Sequence, residues 1–318
     1  MKAPSRWIVR DDGSTPATAV AARTIRKRLT AVWSSLPRAC EPGGDPEQVH
    51  QLRVASRRAL AALDAFDTLL PEKRLAWFKK HLRRLRRAAG EARDLDVLTA
   101  RLRRDLDAPQ RAVPRPSMPS IPGRAARTRL VAMLSRQRPN SRQPIRDRYE
   151  RLLEADWPGR MERLLERLAN RPSQASFGVY ARRRLPGLVG RFFEKADRKM
   201  HDAAALHAFR VEGKKLRYAL EIFASVLPPR ARANCYHALE QLQETLGDFT
   251  DHASAADRFR RWSRDADAKA HRDAIDRLRR EEEQRAKRAR KDFSAWWDDD
   301  RRAALLRTFD RTLRRRPA

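Results

Sequence analysis

Two segments of this sequence place side chains that can bind phosphate at matching helical positions. Each has a histidine and two basic residues at positions i, i+3 and i+7: His50, Arg53 and Arg57 in the first, and His207, Arg210 and Lys214 in the second. In a helix this spacing aligns the three side chains along one edge. Guanidinium groups hold phosphate through paired hydrogen bonds, and an ammonium group adds a compact charge. The pattern predicts a phosphate-binding edge, although one such helix alone would also fit an ordinary solvated basic face.

The overall charge of the chain also favours an anionic partner. Its 318 residues include 72 Lys and Arg against 41 Asp and Glu, which gives a net charge of +31 and a pI near 11.4. An excess of this size repels itself in a compact fold unless a polyanion neutralises it. Nucleic acid, polyphosphate and an anionic membrane surface all meet this requirement, so composition does not choose among them.

An internal repeat relates the two segments. Val49–Phe66 aligns with Leu206–Phe223 at an offset of 157, and the same offset continues without a gap to Asp94 and Asp251. A shorter upstream match has an offset of 156: Arg26–Leu29 against Arg182–Leu185. Random surface charge has no reason to recur at matching positions, so the repeat favours the phosphate-binding interpretation. The two halves are expected to pack about a pseudo-two-fold axis around a shared centre.

Apolar residues at helical spacing predict the elements that carry these side chains. Asp45 can cap the first motif helix and Pro46 fits its first turn, after which Val49 begins an apolar stripe. In the chain as a whole, eleven glycines and few β-branched runs favour helices over strands. The chain is therefore predicted to be all-α.

The next helix, expected over Lys73–Ala89, is strongly basic in the first half only. Its exposed residues are Lys79, Lys80, Arg83, Arg84, Arg86 and Arg87, whereas the second half has Glu240, Gln241, Gln243 and Glu244 at four equivalent positions. An anion-binding surface supplied mainly by the first half is expected. Gly90 and Gly247 are interpreted as C-terminal caps. Asp94 and Asp251 would then open the following helices, where they cap or pair with an arginine.

The chain is interpreted as a single domain over residues 1–318. Its parts are a first helical repeat at 20–106, a loop with five prolines at 107–123, intervening helices at 124–175, a second repeat at 176–263 and C-terminal helices at 264–318. A break in the intervening helices is expected near Trp157 and Pro158, because proline interrupts a helix.

The motifs of both halves resemble the CHAD domain, the conserved histidine α-helical domain. They read H-x-L-R-V-A-S-R-R from His50, A-R-D-L-D-V-L over Ala92–Leu98, and H-x-F-R-V-x-G-K-K-L-R-Y from His207. The resemblance covers almost the whole chain. It implies two pseudo-symmetric four-helix bundles around a central basic cavity. It also implies binding of inorganic polyphosphate and a location at polyphosphate granules, where some members are called phosins.

The residues expected to bind polyphosphate combine the motif positions with neighbouring basic runs. They are His50, Arg53, Arg57, Arg58, Arg83, Arg84, Arg87, Arg183, His207, Arg210, Lys214, Lys215 and Arg217. Leu60 and Ala61 stand where the second half has Arg217 and Tyr218, so weaker binding is expected at the first site.

No motif for catalysis, for a cofactor or for a zinc site is recognisable in the sequence. The expectation is a non-catalytic binder that needs no cofactor and no metal; a metal held between His50 and His207 is a weaker alternative.

The strongest rival is a nucleic-acid binder, and a scaffold for acidic proteins is a third reading. Only 7% of residues are aromatic, and no stacking platform is visible. The two cysteines favour unpaired thiols in a reducing compartment. The first ten residues do not resemble a secretory signal, and no apolar run reaches the length of a membrane span. We therefore expect a cytoplasmic protein.

Overall fold

The structure, a computed structural model, describes residues 13–107, 124–171, 175–196, 202–264 and 272–314. These residues form eleven α-helices: α1 (Ala17–Cys40), α2 (Pro46–Ala65), α3 (Glu72–Asp107), α4 (Arg124–Ser141), α5 (Gln143–Glu154), α6 (Trp157–Ala169), α7 (Phe177–Ala196), α8 (Ala203–Ile222), α9 (Pro229–Trp262), α10 (Arg272–Trp296) and α11 (Asp299–Arg314). Their only β-structure is one isolated bridge between Pro16 and Ser176. The all-α prediction is confirmed. The proline-rich loop lies, from residue 108 onward, outside the described residues.

The offset of 157 residues also relates the helix boundaries. Both ends of α2 differ by this offset from the ends of α8, and α3 and α9 begin at positions related in the same way. The short 3-10 helices that follow α2 and α8, Asp67–Leu69 and Ala224–Val226, are separated by it as well. The two motif segments therefore lie in helices of equal length, α2 and α8, and each helix is followed by a short 3-10 helix and then by a long helix.

Local capping explains where the two motif helices begin. Asp45 accepts a hydrogen bond from the backbone N–H of Glu47, and Pro46 occupies the first turn of α2. Asp202 plays the same part for α8 by accepting from the N–H of Ala205. Both caps fix the register from which the basic residues project.

The predicted caps at Gly90 and Gly247 are wrong. α3 and α9 run through these glycines without interruption, and neither glycine has a positive φ. Asp94 and Asp251 therefore lie inside the same helices and do not open new ones. The glycines lie beside a neighbouring arginine: a Cβ at Gly90 would be 3.7 Å from Nη1 of Arg53, an ordinary van der Waals distance.

The halves meet along α2 and α8, with a further contact between α1 and α7. In the first half α1 and α3 flank α2, and in the second half α7 and α9 flank α8. Helices outside the repeats pack against each half: α5 and α6 contact α1 of the first half, and α11 contacts α7 and α9 of the second. One apolar core runs through both halves, and Phe66 and Phe223 are in contact within it.

A second apolar cluster joins the C-terminal ends of α3 and α9. It consists of Leu95, Leu98 and Leu102 of α3, Leu130 and Leu134 of α4, Phe259 of α9, and Ile275 and Leu278 of α10. This cluster packs the C-terminal parts of the two long helices against α4 and α10.

A buried arginine fixes the turn that precedes α2. The guanidinium of Arg142, only 1% exposed, donates to the backbone carbonyls of Glu41, Gly44 and Asp45. A Cβ at position 44 would approach Nη1 of Arg142 to 2.8 Å, so glycine is required there for space. The charged hydrogen bonds hold the turn one helical turn ahead of His50.

Candidate anion-binding site

A pocket of about 410 Å³ lies where α2 and α8 face the C-terminal parts of α3 and α9. Its sixteen lining residues form eight pairs with an offset of 157: His50 and His207, Arg53 and Arg210, Arg57 and Lys214, Arg93 and Thr250, Asp94 and Asp251, Val97 and Ser254, Leu98 and Ala255, and Arg101 and Arg258. The pocket thus brings together the six residues of the repeated histidine and basic spacing. Seven of the lining residues are arginine or lysine and two are aspartate.

Arg53 and Arg210 enter the pocket beside the two glycines of the long helices. Nη1 of Arg53 donates to the carbonyl of Arg86, with an N–O distance of 2.7 Å. A Cβ at Gly247 would lie 3.9 Å from Nη2 of Arg210, which mirrors the approach of Arg53 to Gly90. The carboxylate of Asp251 is 4.0 Å from Nη2 of Arg210. A side chain longer than that of alanine at either glycine position would crowd these guanidinium groups.

Two other lining arginines are neutralised by carboxylates. Nη2 of Arg258 lies 2.8 Å from Oδ2 of Asp94, which joins α9 to α3. Nη1 of Arg101 lies 2.8 Å from Oε2 of Glu282 on α10, and Glu282 is also in contact with Nδ1 of His252. These pairs shape the wall of the pocket and contribute little net charge to it. The expected pairing of Asp94 with an arginine is confirmed.

The remaining cations of the pocket have no protein partner among the described residues. Arg57, Arg93 and Lys214 form no hydrogen bond or ion pair there, and Nε of Arg57 is buried without an acceptor. The three side chains are half-buried, and a charged donor that loses water without gaining a partner is costly. An anion in the pocket would supply the missing acceptors.

Burial and mutual repulsion shift the titration of these groups. Burial, and then the charges of Arg210 and Arg57, lower the pKa of Lys214 to about 7. Burial and the charge of Arg57 lower the pKa of Arg53 to about 10. The pKa of His207 falls below its usual value for the same two kinds of reason, with burial the larger. The pocket therefore holds a cluster of mutually repelling positive charges, and a bound anion would reduce that repulsion.

Two of the expected binding residues are occupied elsewhere. Arg58 donates from Nε and Nη2 to the carboxylate of Glu221, which is fully buried. Arg217 lies 3.5 Å from Glu240 and packs over the rings of Tyr218 and Tyr236. Neither residue lines the pocket.

The other expected residues lie around the pocket and not in it. Arg83 and Lys215 line a separate pocket of about 280 Å³ between the N-terminal part of α3 and helices α2, α7 and α8. Arg84, Arg87 and Arg183 line neither pocket. In α7 it is Arg184, the neighbour of Arg183, that reaches the separate pocket.

Sequence reasoning missed Arg93, Arg101 and Arg258 as lining residues. A signal for two of them was present, because Arg101 and Arg258 are both arginine at the repeat offset. The helices were expected to end at Gly90 and Gly247, so these later positions were not placed on the same helices as the motif-facing residues.

The two histidines line the same pocket, but the described residues contain no group of three or more His, Cys, Asp or Glu placed to hold a metal ion. Cys40 and Cys235 are buried free thiols. Within the described part of the chain no helix is both long enough and apolar enough to span a lipid bilayer.

Comparison with known proteins identifies the fold. The model of the CHAD domain family matches residues 23–260. The chain is similar to the crystal structure of the CHAD domain from the plant Ricinus communis, with a TM-score of 0.74 and 23% identity over 96% of this chain and 97% of that one. It is also similar to PptA from Streptomyces chartreusis, with a TM-score of 0.54 and 18% identity over 89% of this chain and 99% of that one. No curated protein matches. Because the family match spans well over half of the chain, this protein belongs to the CHAD domain family.

Proposed function

We propose that this protein binds inorganic polyphosphate in the pocket between α2 and α8, without catalysing a reaction on it. The observation that carries the proposal is the set of partnerless cations, Arg57, Arg93 and Lys214, in a pocket lined by seven basic side chains. Charge-assisted hydrogen bonds to phosphate oxygens would satisfy these donors. Membership of the CHAD family supports this choice of ligand.

The symmetry of the lining favours polyphosphate over nucleic acid. Both halves present a histidine and two cations at equivalent positions. A linear polyphosphate chain likewise has the same chemical structure in both directions. A nucleic acid strand has a direction and carries bases, which proteins usually stack on aromatic side chains. The pocket lining contains no Phe, Tyr or Trp.

Binding without turnover would tether the protein to its ligand. We therefore place it, in this proposal, in the cytoplasm at polyphosphate granules. Incubation with polyphosphate, ATP or tripolyphosphate and Mg²⁺ is expected to release no phosphate above background. Turnover that scales with protein after repurification would contradict this part of the proposal.

The decisive experiment compares two variants with the same change in charge. The first replaces Arg53, Arg57, Arg210 and Lys214 with Gln. The second replaces Arg277, Arg280, Lys287 and Arg288, which are exposed on α10 and form no ion pair with another described residue. Titration with polyphosphate should show a loss of several kcal/mol for the first variant, since each charged hydrogen bond contributes about 1.5–3 kcal/mol before solvent screening. The second variant should lose only the diffuse electrostatic share.

Equal losses in the two folded variants would overturn the assignment of the pocket. A competition between polyphosphate and DNA at equal phosphate concentration separates the two ligands. Equal affinity for both would remove the preference for polyphosphate.

A further inference from the structure

The separate pocket of about 280 Å³, hereafter the smaller pocket, is lined by both halves, and the described residues related to it by the repeat are packed more closely. Ala61 and Lys215 line it, and the positions related to them by the repeat are Tyr218 and Arg58. Tyr218 is 5% exposed, and Arg58 binds Glu221, the buried equivalent of Asp64. At the symmetry-related location, a tyrosine and a buried ion pair thus occupy the positions that border open space in this pocket.

Two basic residues of this pocket have no carboxylate partner among the described residues. Its three carboxylates are each held by a basic residue: Asp64 by Lys79, Asp67 by Arg184 and Glu212 by Lys215. Arg83 and Arg191 also line the pocket, and neither forms a hydrogen bond or ion pair with another described residue. The pocket therefore offers two donors to an anion without exposing an unpaired acid.

Arg86 is close to residues that line each of the two pockets. Its backbone carbonyl accepts from Arg53, a lining residue of the larger pocket, and it lies one helical turn after Arg83 on α3. Burial lowers the pKa of Arg86, and the charges of Arg57, which lines the larger pocket, and Arg83, which lines the smaller one, lower it further. It too has no carboxylate partner among the described residues.

On the symmetry-related side of the larger pocket, the equivalent positions do not favour the passage of an anion. Gln243 and Glu240 stand at the positions equivalent to Arg86 and Arg83. Gln243 is buried, and Glu240 is close to Arg217, whose charge it offsets. A negative chain leaving the larger pocket on this side would meet a carboxylate and filled space.

We propose that a long polyphosphate chain leaves the larger pocket on one side only, passing Arg86 into the smaller pocket beside Arg83 and Arg191. This inference rests on the proposed function and deepens it. A chain too short to reach beyond the larger pocket gains nothing from the smaller one. The smaller pocket therefore gives the protein a preference for long chains.

The first test removes charge from the smaller pocket. Arg83→Gln with Arg191→Gln is compared with Arg277→Gln and Arg280→Gln on α10, and each pair is titrated with tripolyphosphate and with long-chain polyphosphate. The first pair should weaken binding of the long chain by about tenfold and leave tripolyphosphate within about twofold, because its two donors lie outside the larger pocket. The second pair should affect both ligands slightly and equally.

The second test closes the smaller pocket without changing charge. Ala61→Tyr introduces the residue found at the equivalent position of the second half, and should weaken long-chain binding selectively. An effect of the Arg83/Arg191 pair equal to that of the α10 pair would overturn the inference. So would equal losses for short and long chains in the first pair, or unchanged long-chain binding in a folded Ala61→Tyr variant. None of these outcomes would affect the proposed function, which is tested separately by the four-charge variant of the larger pocket, by the assay for phosphate release and by the competition with DNA.

Discussion

Arg58 on α2 and Glu221 on α8 form a bidentate ion pair across the junction of the two halves. The distances are 3.0 Å from Nε to Oε2 and 3.1 Å from Nη2 to Oε1. Arg28 and the hydroxyl of Tyr236 approach the same carboxylate, each at 3.4 Å. Glu221 is fully buried, so these donors compensate for its removal from water. Arg58 thus joins the halves and is not available to a ligand.

Replacement of Glu221 with Gln should destabilise the fold. The change leaves Arg28 and Arg58 without their buried counter-charge, and breaking a buried pair typically costs about 3–5 kcal/mol. Urea unfolding would measure the loss in the free energy of unfolding. The control is Asp64→Asn at the equivalent position of the first half, where the carboxylate is 39% exposed and the expected cost is below about 1 kcal/mol. Equal costs would contradict a special role for Glu221.

Replacement of Lys214 with Met should stabilise the protein while weakening polyphosphate binding. The folded state holds the pKa of Lys214 near 7, below its ordinary value of 10.5, so at pH 7 the charged side chain opposes folding. We expect the free energy of unfolding to rise by about 1–3 kcal/mol at pH 7 after allowance for partial exposure.

The pH dependence gives an independent check on Lys214. The unfolded chain binds more protons between pH 7 and 10.5, so the wild type should gain stability as pH rises through that window. The Met variant should lose this gain. If the free energy of unfolding of the two proteins depends on pH in the same way, the pKa of Lys214 is not lowered in the folded protein.

Binding of polyphosphate should weaken as pH rises above about 7. Bound phosphate favours the charged form of Lys214, so binding raises its pKa and takes up a proton. Burial lowers the pKa of His50 and of His207, so both should add further proton uptake on the acid side of neutrality. Calorimetry in buffers of different ionisation enthalpy would measure the uptake. The uptake above pH 7 should disappear in Lys214→Gln, and its persistence would assign it to another group.

Salt should weaken binding linearly in a plot of log affinity against log salt concentration. Removing Arg53, Arg57, Arg210 and Lys214 should reduce the steepness of that line by about 3, as expected for four fewer phosphate contacts on a single chain. Titrations at several ionic strengths would give the two slopes. Parallel lines for the wild type and this variant would mean that the four residues do not contact phosphate.

Replacement of Gly90 with Ala should stabilise α3. A Cβ there would lie 3.7 Å from Nη1 of Arg53, an ordinary van der Waals distance, and alanine is favoured over glycine inside a helix by about 0.5–1 kcal/mol. Thermal unfolding should show the gain with binding unchanged. Gly90→Leu should instead displace Arg53 and weaken binding. A loss of stability in Gly90→Ala would show that the helix needs glycine for its backbone.

The sequence alone predicted the fold class and pointed to six residues that line the pocket. Helical periodicity is a local property, so the stripe of His50, Arg53 and Arg57 was readable from spacing. Its recurrence at His207, Arg210 and Lys214 distinguished this stripe from ordinary surface charge.

Helix length, by contrast, was decided by tertiary packing. The glycine at position 90 is a local signal for a helix end, yet α3 continues to Asp107 because its last turns bury Leu98 and Leu102 against α4, α9 and α10. Where a helix ends depends on whether the following residues can pack against other helices. A local sequence pattern carries no information about those partners.

The tertiary structure also decided which basic residues remain available. Arg58 and Lys215 occupy equivalent positions of the repeat, and their sequence environments gave them the same expected role. Arg58 meets the buried carboxylate of Glu221, whereas Lys215 pairs with Glu212 of its own helix at the edge of the smaller pocket, where Ala61 leaves space that a tyrosine would fill. An arginine is free for a ligand only if no carboxylate from a distant part of the chain reaches it, and that is settled by the packing of α2 against α8.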